Sequence, residues 1–207
     1  MSIRFLRKCL KEIENGLTEV GPNDELAERH IHKARHNLRA ANKLIADSDR
    51  FLEDNDVDPA SLVDMETLPL AIDENTELLF YDWAIVSSYY AIYHTILALL
   101  ISIGYSSKNH ACAIASLEHF FQRKKQRLGD REILVIKYIK GIERGMVEEA
   151  WTMKDRQEKT AYGVALSTER FNANQGLEEA KRFLHVAMNI LDEIRKTPAE
   201  ERVKREK

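Results

Sequence analysis

Three groups of side chains in this 207-residue chain have types and spacings that can do chemistry. In the first, Glu28, His32 and His36 recur at every fourth residue, with Arg35, Arg39 and Lys43 among them. On a helix such residues share a face, so a carboxylate and two imidazoles could turn toward one metal ion, or the cations could meet phosphate oxygens. A solvated face opposite a core seam has the same composition. In the second, His94, His110, Cys112 and His119 carry ligating atoms at spacings that follow no zinc pattern. A buried, hydrogen-bonded His94 and a cap-region His110 account for them more simply. The third is WTMKDRQEKTAYG, Trp151 to Gly163, with Arg156 and Tyr162. Arg grips a phosphate with two parallel hydrogen bonds, and a phenol can donate a hydrogen bond or take part in proton transfer. Positions six apart differ by about 120° on an ideal helix. The pair converges only where the helix ends or bends before Tyr162, which Gly163 favours; otherwise they are a surface Arg and a core Tyr.

No Gly-rich phosphate loop, nucleophile elbow, CxxC or HExxH occurs, and no cofactor or metal is expected. The net charge of −3 and pI near 6.2 exclude a globally basic nucleic-acid binder, so any such surface must be a local patch. Two cysteines are too few for a disulfide framework, and the N-terminus is amphipathic rather than a secretory signal, which predicts a cytoplasmic protein. The composition, 44% hydrophobic and 31% charged with only 4 Pro, predicts a globular protein built of long helices.

The element that must position these groups is the stretch Tyr81 to His110. From Trp83 to Gly104 it has no Asp, Glu, Lys or Arg, and apolar or aromatic residues go round every face of a helix. Its length also suits a membrane span. Tyr89, Tyr90, Tyr93, His94, Ser87, Ser88 and Thr95 near its middle, and flanks without a basic bias, favour instead a buried core helix ended by Gly104.

Around it the spacing predicts a first helix over 2–15 and a second from an Asn23 or Asp24 cap to near Asp54, with the seam Leu26, Ile31, Ala34, Leu38, Ala41 and Ile45. Residues 56–75 read as a loop. Ser106, Ser107 or Asn109 can cap a helix from Ala111 to about Arg123, with Ile114, Leu117, Phe120 and Phe121 inward. Further helical segments follow Asp130 and cover 147–162, and a last helix spans about Asn172 to Arg195 before Pro198. One domain is expected over 1–196, with 197–207 a charged, solvated tail.

The run DWAIVSSYYAIYHTILALLISIGYSSKNH resembles the signature of HEPN domains, helical domains of prokaryotic toxin–antitoxin pairs that also occur beside minimal nucleotidyltransferases. The likeness rests on Ala84, Tyr89-Tyr90-Ala91, Tyr93-His94, Ala98-Leu99-Leu100, Gly104, Lys108 and His110. With the preceding amphipathic helix and the later Arg-to-Tyr segment it covers roughly Glu25 to Leu191. It implies an all-α, up-and-down helical bundle, a four-helix core with additional helices, that forms homodimers. In active members an Arg, followed four to six residues later by a His, makes a metal-independent RNA-cleaving site shared by two protomers. Arg156 matches the Arg. Residues 157–164 contain no His, and Tyr162 stands in the expected place; a branch of the family ends the motif in Ala-Asp-Tyr, which Thr160-Ala161-Tyr162 replaces here without the acidic residue.

An imidazole exchanges protons near neutral pH, whereas a phenol with a pKa of about 10 takes one poorly from a ribose 2′-hydroxyl. The resemblance thus implies weak or absent ribonuclease activity with RNA or nucleotide binding retained. Arg156, Lys154, Lys159 and the cluster Arg123, Lys124, Lys125 and Arg127 would contact phosphate. The rival expectations are a non-catalytic module docking a nucleotidyltransferase, and a ribonuclease in which Tyr162 reacts.

Overall fold

The structure, a computed structural model, describes Cys9, residues 16–54, Asp56, 79–124, Leu128 and 165–204. The protein is an all-α helical bundle with one small two-stranded antiparallel sheet among the described residues. In chain order the elements are β1 (Leu17–Glu19), α1 (Asp24–Asp54), α2 (Tyr81–Ser102), β2 (Tyr105–Ser107), α3 (His110–Leu117) continued by a π-helical turn (Glu118–Lys124), α4 (Ala165–Arg195) and α5 (Ala199–Lys204). The expected helix over 2–15 lies outside the described residues except at Cys9. The expected loop 56–75, apart from Asp56, and the segments between Asp130 and Gly163 lie outside them as well.

Local rules account for the boundaries. Asn23 Oδ1 accepts the Leu26 N–H at 2.8 Å, which satisfies one orphan donor at the start of α1. An inward seam of α1 runs through Ala27, Ile31, Ala34, Leu38, Ala41, Ile45, Ser48 and Leu52, all buried except the half-buried Leu38. Steps of four and three alternate through this series, the seam that lets a helix press one stripe on its neighbours. Ala27 therefore takes the inward place expected of Leu26, which is exposed. Helix α2 ends where Gly104 adopts φ +96 and its N–H reaches the Ile101 carbonyl at 3.0 Å. Asn109 caps α3, its side chain accepting from the Cys112 N–H at 3.0 Å. Ile114, Leu117, Phe120 and Phe121 are all buried.

Two compact units share the chain. The first comprises 1–36, 90–137 and 181–207. Here β1 pairs antiparallel with β2, Leu17 opposite Ser107 and Glu19 opposite Tyr105. Ser107 Oγ donates to the Gly16 carbonyl at 3.0 Å, Tyr93 donates to the Ser107 carbonyl at 3.3 Å, and Tyr105 stacks on Phe120. Cys9 and Cys112, both buried, are joined by a disulfide. One bond is not a disulfide framework, which two cysteines are too few to form; it ties Cys9 to α3. Residues Ala199–Lys204 form a helix rather than a solvated tail, because Arg202 is buried and pairs with both carboxylate oxygens of Asp24, at 2.7 and 3.1 Å.

The second unit comprises 37–89 and 138–180. Its core joins Ala41, Ile45 and Leu52 of α1 to Tyr81, Ala84 and Ile85 of α2 and to Ala173 and Leu177 of α4. Helix α4 begins at Ala165, one to two turns before the expected Asn172. Helix α2 is less completely enclosed than its composition predicts. Trp83 is 60% and Tyr90 40% exposed, and Val86, Ser87 and His94 are half-buried, a single stripe at helical spacing.

Candidate functional site

Among the described residues, two imidazoles meet in the first unit. His30 of α1 and His94 of α2 meet Nδ1 to Nδ1 at 3.0 Å, with ring centroids 5.2 Å apart. His30 sits one residue before the buried Ile31, at the edge of the α1 seam, so its ring is half-buried rather than enclosed. His94 lies on the uncovered stripe of α2 and is half-buried too. Burial, then the Lys33 charge, lowers the His30 pKa. Burial, followed by the charges of His30, Lys33 and His110, pulls His94 down to about 4. At neutral pH both rings are therefore uncharged, and a 3.0 Å contact between them holds one proton, donated by one Nδ1 and accepted by the other.

Aromatic rings build the wall beside this pair. His110, the first residue of α3, stacks on Tyr93 with centroids 3.8 Å apart and presents an edge to Tyr90 at 6.0 Å. Tyr93 is buried and its phenol is raised above the ordinary value, chiefly by burial. Tyr89 is buried as well, whereas Tyr90 faces solvent. Of the expected signature residues, Tyr93, His94 and His110 thus gather in one cluster, and His30, missed in the sequence, completes it. Its signal was available only as an imidazole bordering the apolar seam and one helical turn before Lys33.

The other expected groupings separate. Glu28 turns to Arg195 Nη2 at 2.8 Å, while His32 and His36 are exposed on α1. Cys112 is bonded to Cys9, and His119 sets its ring against Phe120. No group of three or more His, Cys, Asp or Glu placed to hold a metal ion occurs among the described residues. Arg156, Tyr162, Lys154, Lys159, Lys125 and Arg127 lie outside those residues; Arg123 and Lys124 belong to the π-helical turn, their side chains outside the described set.

A basic face adjoins the histidine pair along α1. Between Arg29 and Lys43 the helix carries Arg29, Lys33, Arg35, Arg39 and Lys43 and not one Asp or Glu. All five cations are exposed, although Arg29 pairs with Glu25 at 2.7 Å and Lys43 with Asp47 at 3.0 Å. In a chain of net charge −3 this is a concentrated local positive potential.

An apolar helix packed with amphipathic ones, with imidazoles and phenols brought together around His94, defines a helical domain carrying a polar site. Comparison with protein families matches the HEPN domain over residues 70–197, more than half of the chain. The protein belongs to the HEPN domain family. No curated protein and no solved structure gives a significant match.

Proposed function

We propose that this HEPN protein binds RNA or a nucleotide through phosphate contacts, as a toxin-like or defence-associated component with weak or absent metal-independent endoribonuclease activity. The observation that carries the reading is the cationic run of α1, Arg29 to Lys43, uninterrupted by any carboxylate. Exposed Lys and Arg on one helix displace counterions from a phosphate backbone, which makes such binding strongly salt-dependent. Family membership supports the same class of ligand. Lys154, Arg156 and Lys159 would add phosphate contacts, and the functional form would be a homodimer, as family members with a shared site require.

The test is binding of a mixed RNA pool in EDTA across a salt series, by the wild type and by a Lys33→Glu/Arg39→Glu variant. Each phosphate contact removed should lower the salt slope by about one, so the double variant should lose about two and bind at least tenfold more weakly. Binding unchanged in strength and slope would remove α1 as the phosphate surface. A second reading, a non-catalytic module that docks a nucleotidyltransferase, is favoured by Trp83 and Phe171 of the second unit, 60% and 65% exposed. It would take precedence if the protein bound no RNA and captured only such a partner.

A further inference from the structure

We propose that His30, Lys33 and His94 form a phosphate-binding subsite at the edge of the cationic face of α1, one that takes up a single proton with its ligand, so that acid tightens RNA binding. The subsite rests on the RNA-binding reading above and adds a point of regulation to it.

The contact between the two rings sets how many protons they can take. A distance of 3.0 Å between Nδ1 atoms of neutral imidazoles requires one ring to be the Nδ1–H tautomer and the other the Nε2–H tautomer. The first ring then has a bare Nε2. A proton arriving there makes that ring an imidazolium and leaves its Nδ1–H aimed at the Nδ1 of the other ring, so the contact survives and becomes charge-assisted. A second proton would set two Nδ1–H groups against each other. The pair can therefore gain one positive charge without changing its geometry, and only one.

In the free protein the surroundings oppose that charge. Burial disfavours the cation on both rings, Lys33 of α1 repels it on both, and His110 of α3 adds to this at His94. On α2, Tyr93 lies beside His94 with ring centroids 6.0 Å apart, and its phenol, raised by burial, keeps its proton. Among the described residues the charges that act on the two rings are those of Lys33, His110 and the rings themselves, and none is a carboxylate. An anion from outside supplies the missing counter-charge. An opposite charge within about 4–6 Å moves a pKa toward the charged form by about 1–3, which would lift His94 from about 4 to between about 5 and 7.

Placement favours a phosphate chain as that anion. Both rings are half-buried and Lys33 is exposed, so a ligand can reach all three. From Arg29 to Lys43 the cationic run extends about 21 Å at 1.5 Å per residue, longer than one phosphate and suited to a row of them. A phosphodiester also keeps its charge across the pH range in which the imidazoles titrate.

The test uses the full-length protein at constant ionic strength with three probes: a short mixed-sequence RNA, a nucleoside monophosphate and inorganic phosphate. Followed by nitrogen-15 spectra of the histidine rings, the midpoint at which the pair takes its first proton should rise by at least about 1 on saturation with RNA. By linkage, RNA should then bind the wild type more tightly in acid. The affinity of the wild type relative to His30→Asn/His94→Asn should grow at least about threefold from about pH 7.5 to 5.5. His32, His36 and His110 remain in both proteins, so that difference belongs to the pair. A midpoint unmoved by saturating RNA overturns the subsite without recourse to any variant and leaves the α1 reading in place; an affinity ratio that does not change with pH does the same. A midpoint raised by the monophosphate or by inorganic phosphate, in a protein that binds no RNA, upholds a phosphate subsite and removes the RNA reading. Should no probe bind, both fall together.

Discussion

Tyr81 donates its hydroxyl to Asp49 Oδ1 at 2.6 Å, and Arg170 Nε donates to the same oxygen at 2.9 Å. One carboxylate oxygen of α1 thus fastens a residue of α2 and one of α4 within the second unit. Burial, followed by the hydrogen bond to Asp49, raises the phenol well above its ordinary pKa and keeps it a donor. Tyr81→Phe deletes the donor and leaves the ring. Hydrogen bonds to charged groups contribute about 1.5–3 kcal/mol, so urea unfolding should show a loss of about 2 kcal/mol. A loss below about 0.5 kcal/mol would mean that Arg170 alone satisfies Asp49.

Two glycines are expected to respond in opposite directions to the same substitution. At Gly104, φ is +96 and an added Cβ would lie 3.3 Å from Pro22 N and Cδ. Gly104→Ala should therefore destabilise by about 1–3 kcal/mol through backbone strain. Gly176 is inside α4, and a Cβ there would make an ordinary 3.8 Å contact with Ser88 Cβ. Gly176→Ala should stabilise by about 0.5–1 kcal/mol, since glycine is the costlier residue in a helix interior. Thermal unfolding of the two variants reads both signs; a destabilised Gly176→Ala would show that α2 and α4 approach too closely there for a methyl group.

Legibility followed sequence distance. The Asn23 and Asn109 caps, the Gly104 stop, the helix over α2 and most of the α1 seam are local patterns, and the structure shows each of them, although one stripe of α2 is less enclosed than its composition predicts. Leu26 was misplaced by one position because Ala27, the true seam residue, is too small to stand out in a hydrophobic pattern. The β1–β2 pairing rests on strands of three residues, too short to show a period of two. His30 meets His94 across 64 residues and Arg202 meets Asp24 across 178, and no spacing rule connects such positions. The site was therefore half readable: Tyr93, His94 and His110 lay in the signature, whereas the imidazole opposite His94 became visible only through tertiary packing.

Arg202 gives α5 its place. Besides its two contacts with Asp24, its Nε donates to the Thr197 carbonyl at 2.7 Å. Its side chain is 5% exposed while that of Asp24 is 45% exposed, so the loss of Arg202 leaves a carboxylate that water can reach. Arg202→Met should thus cost less than the roughly 3–5 kcal/mol of a fully buried pair, about 2 kcal/mol. Arg202→Lys should recover little, because one ammonium cannot reproduce a planar fork. If a chain ending at Pro198 melts at the wild-type temperature, α5 contributes nothing to stability.

The Cys9–Cys112 bond closes a loop of 103 residues. Chain entropy alone assigns such a closure up to about 4.7 kcal/mol, so the melting temperature should fall measurably in reductant. Cys112→Ala should lower it comparably and abolish the further effect of reductant. Thiol titration of the denatured, unreduced protein should find no reactive sulfhydryl. A wild-type melting temperature indifferent to reductant would mean that the bond is not formed in solution.

The His30–His94 pair also predicts how stability varies with pH. In the unfolded chain His94 titrates near the ordinary imidazole value of about 6.5, and in the folded protein its pKa is about 4 because burial, His30, Lys33 and His110 all oppose the cation. Between those values the unfolded state binds more protons, so stability rises with pH. The contribution is complete above about 6.5 and is lost as pH falls toward about 4. His30, also lowered, adds to the same trend. Because carboxylates titrate mainly below pH 5 or so, urea unfolding between about pH 5 and 6.5 isolates the imidazoles. The wild type should lose stability through that window and His94→Asn should lose less. Equal slopes for the two proteins would show that His94 is protonated as readily when folded as when unfolded, and that the two rings do not share a single proton.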